Sequence, residues 1–307
     1  MTKKRHSDSV LSDLRDEWWS LDYLELVAKR LDLGECTTAL DVGCGQGHWG
    51  HRILTLLHPE ATLVGVDQEA DWVTHATERA DALGMSARCE FKKADAATLP
   101  FEDDSFDLVT CQTLVMHVSS PEIVLTEMLR VLKPGGRLLL AEPSNLPNQF
   151  SSDTLNRALS PEDLTDMAYL FVCCSRGRAN LGRGDDSIAD VLPELLIRLG
   201  VSDLRVFQNE KTSAVIPPYS DLVRGQLEEE MGHEKRGFWL WDRDDAYKLY
   251  VAGGGSAERF ASAYAVFLGR SATFRAQVEA GTYSRVGGGH HYLFAARAPA
   301  PLLNSKV

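Results

Sequence analysis

Leu11, Leu14, Trp18, Leu21, Leu24, Val27 and Leu31 recur at steps of three and four, which predicts an amphipathic helix over residues 10–33 that stops at Gly34. The period then changes. Residues 38–42 form a short apolar run that enters a glycine-rich turn at Gly43, Gly45 and Gly47, followed by a helical stretch over 49–57. Further strand patterns fall at 62–67, 87–92, 106–111 and 137–141, with helical patterns at 69–83 and 121–132 between them. Strands alternating with helices of this length predict an α/β, doubly wound, mostly parallel sheet. After Pro143 the rhythm breaks. Residues 151–175, 186–199 and 219–280 read as helical, and 203–208 and 290–298 read as strands. The long stretch between those last two strands is far more than a hairpin loop needs, so it reads as a helical insertion.

Composition narrows the function classes. The chain has 307 residues, 44% of them apolar, and a formal charge of −12. These values describe an ordinary globular chain, and the acidic balance disfavours a nucleic-acid partner. No apolar run reaches the ~18 residues of a membrane span, and no apolar leader opens the chain. Six cysteines without CxxC spacing predict free thiols and no metal. The expected location is the cytoplasm.

The glycine loop carries the first chemical signal. It follows a strand and opens a helix, the context in which glycines let a nucleotide approach the main chain. A dinucleotide loop would read GxGxxG, whereas this one reads GxGxG with His48 at the third glycine's place. Asp41, just before the loop, would oppose a pyrophosphate and suits a cationic ligand. Asp67 closes the second strand, where a carboxylate can accept both hydroxyls of a ribose. Asp95 follows the third strand, where a carboxylate and the adjacent amide can meet the amino edge of an adenine.

Five segments, Ala39-Leu-Asp-Val-Gly-Cys-Gly-Gln-Gly47, Gly65-Val-Asp67, Lys93-Ala-Asp95, Phe101-Glu-Asp-Asp-Ser-Phe-Asp-Leu108 and Arg130-Val-Leu-Lys-Pro-Gly-Gly136, occur in order over about residues 35–145. Together they resemble the motifs of class I S-adenosylmethionine-dependent methyltransferases, in the flavour of the quinone-biosynthesis group. The resemblance implies a Rossmann-like sheet of seven strands in the order 3-2-1-4-5-7-6, the seventh antiparallel. It implies that Gly43, Cys44, Gly45 and Gly47 lie under the methionine part of S-adenosylmethionine, and that Asp41 faces its ammonium through loop amides or water. It further implies Asp67 on the ribose, Gln68 beside the adenine, Asp95 and Ala96 at the adenine N6 edge, and Gln112 near the methionine moiety. The product is then S-adenosylhomocysteine.

Methyl transfer asks mainly that the acceptor atom be held in line with the departing sulfur, so a general base is optional. His117, just past the fourth strand, is the candidate base, the alternative being a helix-start or packing histidine. Glu142 at the end of the fifth strand is a weaker candidate, and His290 and His291 would need tertiary proximity. Cys173 and Cys174 sit next to each other in a helical stretch, cannot face one another, and read as buried small hydrophobes. The insertion carries Tyr219, Phe238, Trp239, Trp241, Tyr247, Tyr250, Phe260, Tyr264 and Phe267. That density suits a cap over a small aromatic or apolar methyl acceptor, or else the insertion's own core or a homodimer interface. Trp18, Trp19 and Tyr23 either close the cofactor side or pack in the core.

The expected layout is an N-terminal helical segment over 1–34, a cofactor-binding core over 35–145, helices and a strand completing the sheet over 146–216, the cap over 217–288, and a last strand and tail over 289–307. The leading reading is a methyltransferase acting on O, N or C of a small metabolite. The alternatives are a non-catalytic S-adenosylmethionine-binding scaffold, a tRNA-modifying methyltransferase, and an NAD-dependent oxidoreductase, against which His48 and Asp41 both argue.

Overall fold

A computed structural model describes residues 18–147, 153–210, 214–238, 241–287 and 290–299. Its centre is a seven-stranded sheet built from β1 (Thr38–Val42), β2 (Thr62–Asp67), β3 (Cys89–Lys93), β4 (Phe106–Gln112), β5 (Leu132–Ser144), β6 (Ser202–Gln208) and β7 (His290–Arg297). The order is β3-β2-β1-β4-β5-β7-β6, as the family resemblance implies. β1 pairs in parallel with β2 and β4, β2 with β3, and β4 with β5, whereas β6 pairs with β7 antiparallel.

Strand alternation sorts side chains onto the two faces of this sheet. Leu40, Val42, Leu138, Leu140, Phe294 and Ala296 join one buried cluster, which includes Val124, Leu125 and Met128 of α4 (Pro121–Arg130) and Leu192, Leu195 and Leu196 of α6 (Leu192–Arg198). Ala39, Leu139, Ala141, Leu293 and Ala295 join the other, with Leu24 and Val27 of α1 (Leu21–Arg30) and Trp49, Ile53 and Leu54 of α2 (His48–Leu54). A helix α3 (Ala70–Ala82) follows β2.

The chain separates into two compact units. The described parts of residues 15–143, 188–210 and 291–307 form the sheet unit, and those of 144–187 and 211–290 form a helical unit. The helical unit contains α5 (Pro161–Asn180), α7 (Asp221–Arg236), α8 (Arg243–Ala252) and α9 (Ala257–Glu279). This division differs from the expected layout, in which residues 146–216 complete the sheet. α5 buries Leu170, Phe171, Cys173 and Cys174 in a cluster with Leu249 and Tyr250 of α8 and Phe260 and Phe267 of α9. Gly177 of α5 allows that approach, because a Cβ there would collide with the Leu249 carbonyl. Only 188–210 returns to the sheet unit.

Other boundaries move for local reasons. The expected helix over 219–280 divides into α7, α8 and α9, broken at Gly237 (φ 153°) and at Gly253 to Gly255. Ser160 caps α5 by accepting from the Asp163 N–H, and Pro161 opens it, so it begins later than the expected 151. β5 starts at Leu132 rather than at Arg137, because Leu132 pairs with Phe106 and a register shift before Leu108 absorbs the intervening Pro-Gly-Gly. Of the expected N-terminal helix, the structure shows 21–30, and residues before 18 lie outside the described ones.

Candidate functional site

The carboxyl ends of β1, β2, β3 and β4 place the expected site residues along one edge of the sheet unit, where open parallel sheets take ligands. β1 runs into the loop through Gly43, Gly45 and Gly47, with φ of 68°, 51° and 81°. An L side chain rarely adopts such angles. A Cβ at Gly43 would fall 2.7 Å from Leu114 Cδ1, and one at Gly47 would fall 2.7 Å from His51 Cε1, whereas nothing lies within 4 Å of a Cβ position at Gly45. The loop is therefore pinned from below at its two ends and open at its middle. The Cys44 N–H donates to the Val66 carbonyl at 2.9 Å, which ties the loop to β2.

Asp67 joins three of these ends. Its Oδ2 accepts from the Gly45 N–H at 3.0 Å and its Oδ1 from the Glu69 N–H at 2.9 Å. Its main-chain carbonyl accepts from the Ala94 N–H at 2.9 Å, which brings the end of β3 alongside. A carboxylate oxygen has two lone pairs, so Asp67 can keep both amides and still accept a hydroxyl on each oxygen. Burial raises its pKa against the two amide bonds.

Asp41 behaves differently. It is 1% exposed, and neither carboxylate oxygen has a hydrogen-bond partner among the described residues. The carboxylate lies against Gly50 of α2, where a Cβ would sit 2.7 Å from Oδ2. Desolvation pushes its pKa up to about 8, opposed by the nearby Gly50 amide and reinforced by the charge of Asp67. A buried, unpartnered acid beneath a ligand loop calls for a compensating group.

Residues 33–178 match the family model of a methyltransferase domain. Over 113 residues the chain is 40% identical to a ubiquinone/menaquinone biosynthesis C-methyltransferase of Pseudomonas savastanoi pv. phaseolicola, covering 37% of this chain and 44% of that protein. Over 137 residues it is 32% identical to a demethylmenaquinone methyltransferase of Bacillus cytotoxicus, covering 45% of this chain and 56% of that protein. The chain carries a class I S-adenosylmethionine-dependent methyltransferase domain. It spans about half the length of these curated relatives. A crystal structure from Bacillus halodurans shares the fold at 22% identity and a TM-score of 0.52, covering 92% of this chain and 99% of that one.

Within the methyltransferase domain, the remaining expected residues divide into two groups. Gln68 is exposed just past Asp67, and Asp95 is exposed past β3, where its Oδ1 accepts the Ala97 N–H at 2.9 Å. Ala96, in the same turn, is half-buried against the core. Gln112 is 8% exposed at the end of β4, paired in register with Ala141. His117 is exposed at the end of the short turn after Gln112, its N–H donating to the Leu114 carbonyl at 2.9 Å. His291 lies at the start of β7, its ring 4.6 Å from that of Trp18.

Glu142 is not at the surface of the cleft. It is fully buried, and its carboxylate accepts from the N–H groups of Leu114 (2.9 Å), Val115 (2.7 Å) and Met116 (3.3 Å). Sequence reading missed both this clamp and Leu114. The available signal was an acid inside the apolar run of β5, where an unpaired charge is costly. Trp19 is 1% exposed and packs against Trp49, with ring centroids 6.1 Å apart, so it belongs to the core. The Tyr23 hydroxyl donates to the Gln208 carbonyl at 2.7 Å. Among the described residues no three His, Cys, Asp or Glu side chains gather to hold a metal, and no helix is long and apolar enough to cross a membrane.

The site fits S-adenosylmethionine on its own geometry. The space over Gly45 and the hydrogen-bonding capacity of Asp67 suit a nucleoside, and the orphaned acid at Asp41 suits a nearby positive charge.

Proposed function

We propose that the chain transfers the methyl group of S-adenosylmethionine to a small, apolar or aromatic metabolite. The observation that carries the reading is the Gly45–Asp67 junction, which sets a nucleoside-competent carboxylate against an open glycine loop. S-adenosylmethionine, when bound, supplies a methyl group on a positively charged sulfur. The loop of Gly43, Cys44, Gly45 and Gly47 holds the amino-acid part, and Asp41 favours its cationic end from beneath. Asp67 and Gln68 take the ribose and the adenine, Asp95 and Ala96 the amino edge of the base, and Gln112 borders the methionine moiety. His117, exposed past β4, takes a proton from an acceptor hydroxyl or amine.

The acceptor class rests on two supports. The relatives are named for quinone-biosynthesis substrates, and a net charge of −12 opposes a polyanion such as tRNA. The helical unit adds a restraint. Phe238, Trp241, Tyr250, Phe260, Tyr264 and Phe267 are buried in that unit's own cluster, so most of its aromatic density goes into its core. Trp239 lies outside the described residues. Tyr247, at 39% exposure, is one described aromatic of this unit left available for an acceptor or for a second copy of the chain.

The test is a screen of small hydroquinone, phenol and amine acceptors, read as S-adenosylhomocysteine formed per acceptor methylated. Turnover on at least one aromatic acceptor, with none on tRNA, is expected. Tight S-adenosylmethionine binding with no turnover across the screen would favour the scaffold reading.

A further inference from the structure

We propose that Glu142 is a positioning residue of the methyl-transfer site, coupling the end of β5 to the cofactor loop through the turn after β4. The inference rests on the cofactor reading above and assigns a role within that site.

The geometry runs in three contacts. Glu142 is fully buried at the carboxyl end of β5, yet among the described residues no cation pairs with its carboxylate. Instead, Oε1 accepts from the N–H groups of Leu114 and Val115 at 2.9 and 2.7 Å, and Oε2 accepts from that of Met116 at 3.3 Å. Three successive amides converging on one carboxylate form a small anion-holding nest in the main chain. The turn so clamped begins at Thr113, a non-glycine residue with φ of 52°, whose N–H donates to the Ala141 carbonyl at 2.9 Å. Such a conformation persists only where its surroundings over-determine it, and it is typical of functional sites.

The third contact leads to the loop. The side chain of Leu114, the first clamped residue, is the group that a Cβ on Gly43 would meet at 2.7 Å. The carboxylate therefore fixes the turn, the turn presses Leu114 onto Gly43, and Gly43 begins the loop. The same turn carries Gln112 at one end and His117 at the other, so one buried acid sets the position of the cofactor border and of the candidate base. A free carboxylate offers only acceptors to these amides. An amide in its place would turn one NH2 donor toward N–H donors, so Glu142→Gln preserves shape but spoils the clamp.

Two titratable side chains bear on this spot. The Cys111 thiol of β4 lies 3.7 Å from Oε1, and Asp41 of β1 acts on that same thiol. Burial raises Glu142 to about 7 against the pull of the three amides. The clamp is therefore complete above that value and weakens below it.

The experiment titrates S-adenosylhomocysteine into the full chain, its Glu142→Gln and Leu114→Ala variants, and the double variant, at pH 8.5 and pH 6. Circular dichroism and Tm are read alongside. Each single variant is expected to bind about tenfold more weakly at pH 8.5, and the double variant no more weakly than the poorer single one. The wild type should lose affinity from pH 8.5 to 6 by more than Glu142→Gln does. Folded Glu142→Gln with wild-type affinity at both pH values would overturn the proposal, as would additive losses in the double variant. If Glu142→Gln does not fold, Leu114→Ala with unchanged affinity would overturn it alone. A wild type that binds no S-adenosylhomocysteine would instead remove the cofactor reading on which the proposal rests.

Discussion

The two units bury charge in opposite ways. In the helical unit, buried acids face arginines. Arg270 reaches Asp153 at 2.6 Å, Asn156 at 2.8 Å and Glu234 at 3.4 Å, and the Tyr283 hydroxyl adds a 3.1 Å bond to the same Asp153 oxygen. Arg178 pairs with the buried Asp186. Among the described residues of the sheet unit, the fully buried acids Asp41 and Glu142 pair with no cation. Glu142 is held by three main-chain amides and the Cys111 thiol, and Asp41 has only the nearby Gly50 amide. Paired charges inside a helical bundle fix which side chains meet, with little net gain over an apolar core. Unpaired acids lower stability unless a ligand compensates them, and these two lie toward the carboxyl ends of β1 and β5. The difference separates an architectural use of charge from a functional one.

Breaking the pairing in the helical unit should give the largest effect. Arg270→Met leaves the buried Asp153 without its cation and should cost about 3–5 kcal/mol, read from the denaturant midpoint. A loss below about 1 kcal/mol would mean that these charges are solvated and the contrast is false. Next comes His117→Ala, which on an acceptor with a weakly acidic proton should lower kcat about a hundredfold and flatten its rise between pH 6 and 9. Wild-type turnover across that range would remove His117 as the base.

Asp67→Ala should weaken S-adenosylhomocysteine binding by about 1.4–2.8 kcal/mol, roughly tenfold to a hundredfold, with little change in Tm. Unchanged affinity in the folded variant would take Asp67 out of the site. The smallest effect sharpens the comparison most. Asp41 has a folded pKa of about 8, above the ordinary 3.8, so the folded state binds its proton more tightly. The stability that this proton favours is complete below about pH 4 and declines as pH rises toward 8. Asp41→Asn should therefore gain more over the wild type at pH 9 than at pH 5, while binding the cofactor more weakly. A Tm difference independent of pH would show that Asp41 stays charged throughout.

The same contrast explains what the sequence made legible. β1, β2 and β4 could be read within a residue, because each is a short apolar run bounded by turn residues and buried on both faces. The junction of the glycine loop with Asp67 could be anticipated for a related reason, since it is built from main-chain groups at fixed spacing. Residues 144–187 were misplaced because their partners, α8 and α9, lie some 70 to 100 positions later, and local periodicity says nothing about which helices meet. Glu142 was visible only as a strand-end acid. Its three amides come from a turn more than 25 residues away, a relation that the parallel pairing of β4 and β5 creates.

The central claim is that the carboxyl edge of the sheet unit is a nucleoside site for S-adenosylmethionine and not for a dinucleotide. Parallel calorimetric titration of the full chain with S-adenosylhomocysteine and with NADH tests it most directly. The account predicts micromolar binding of the first and none of the second. Binding of NADH alone, or of neither, would contradict it.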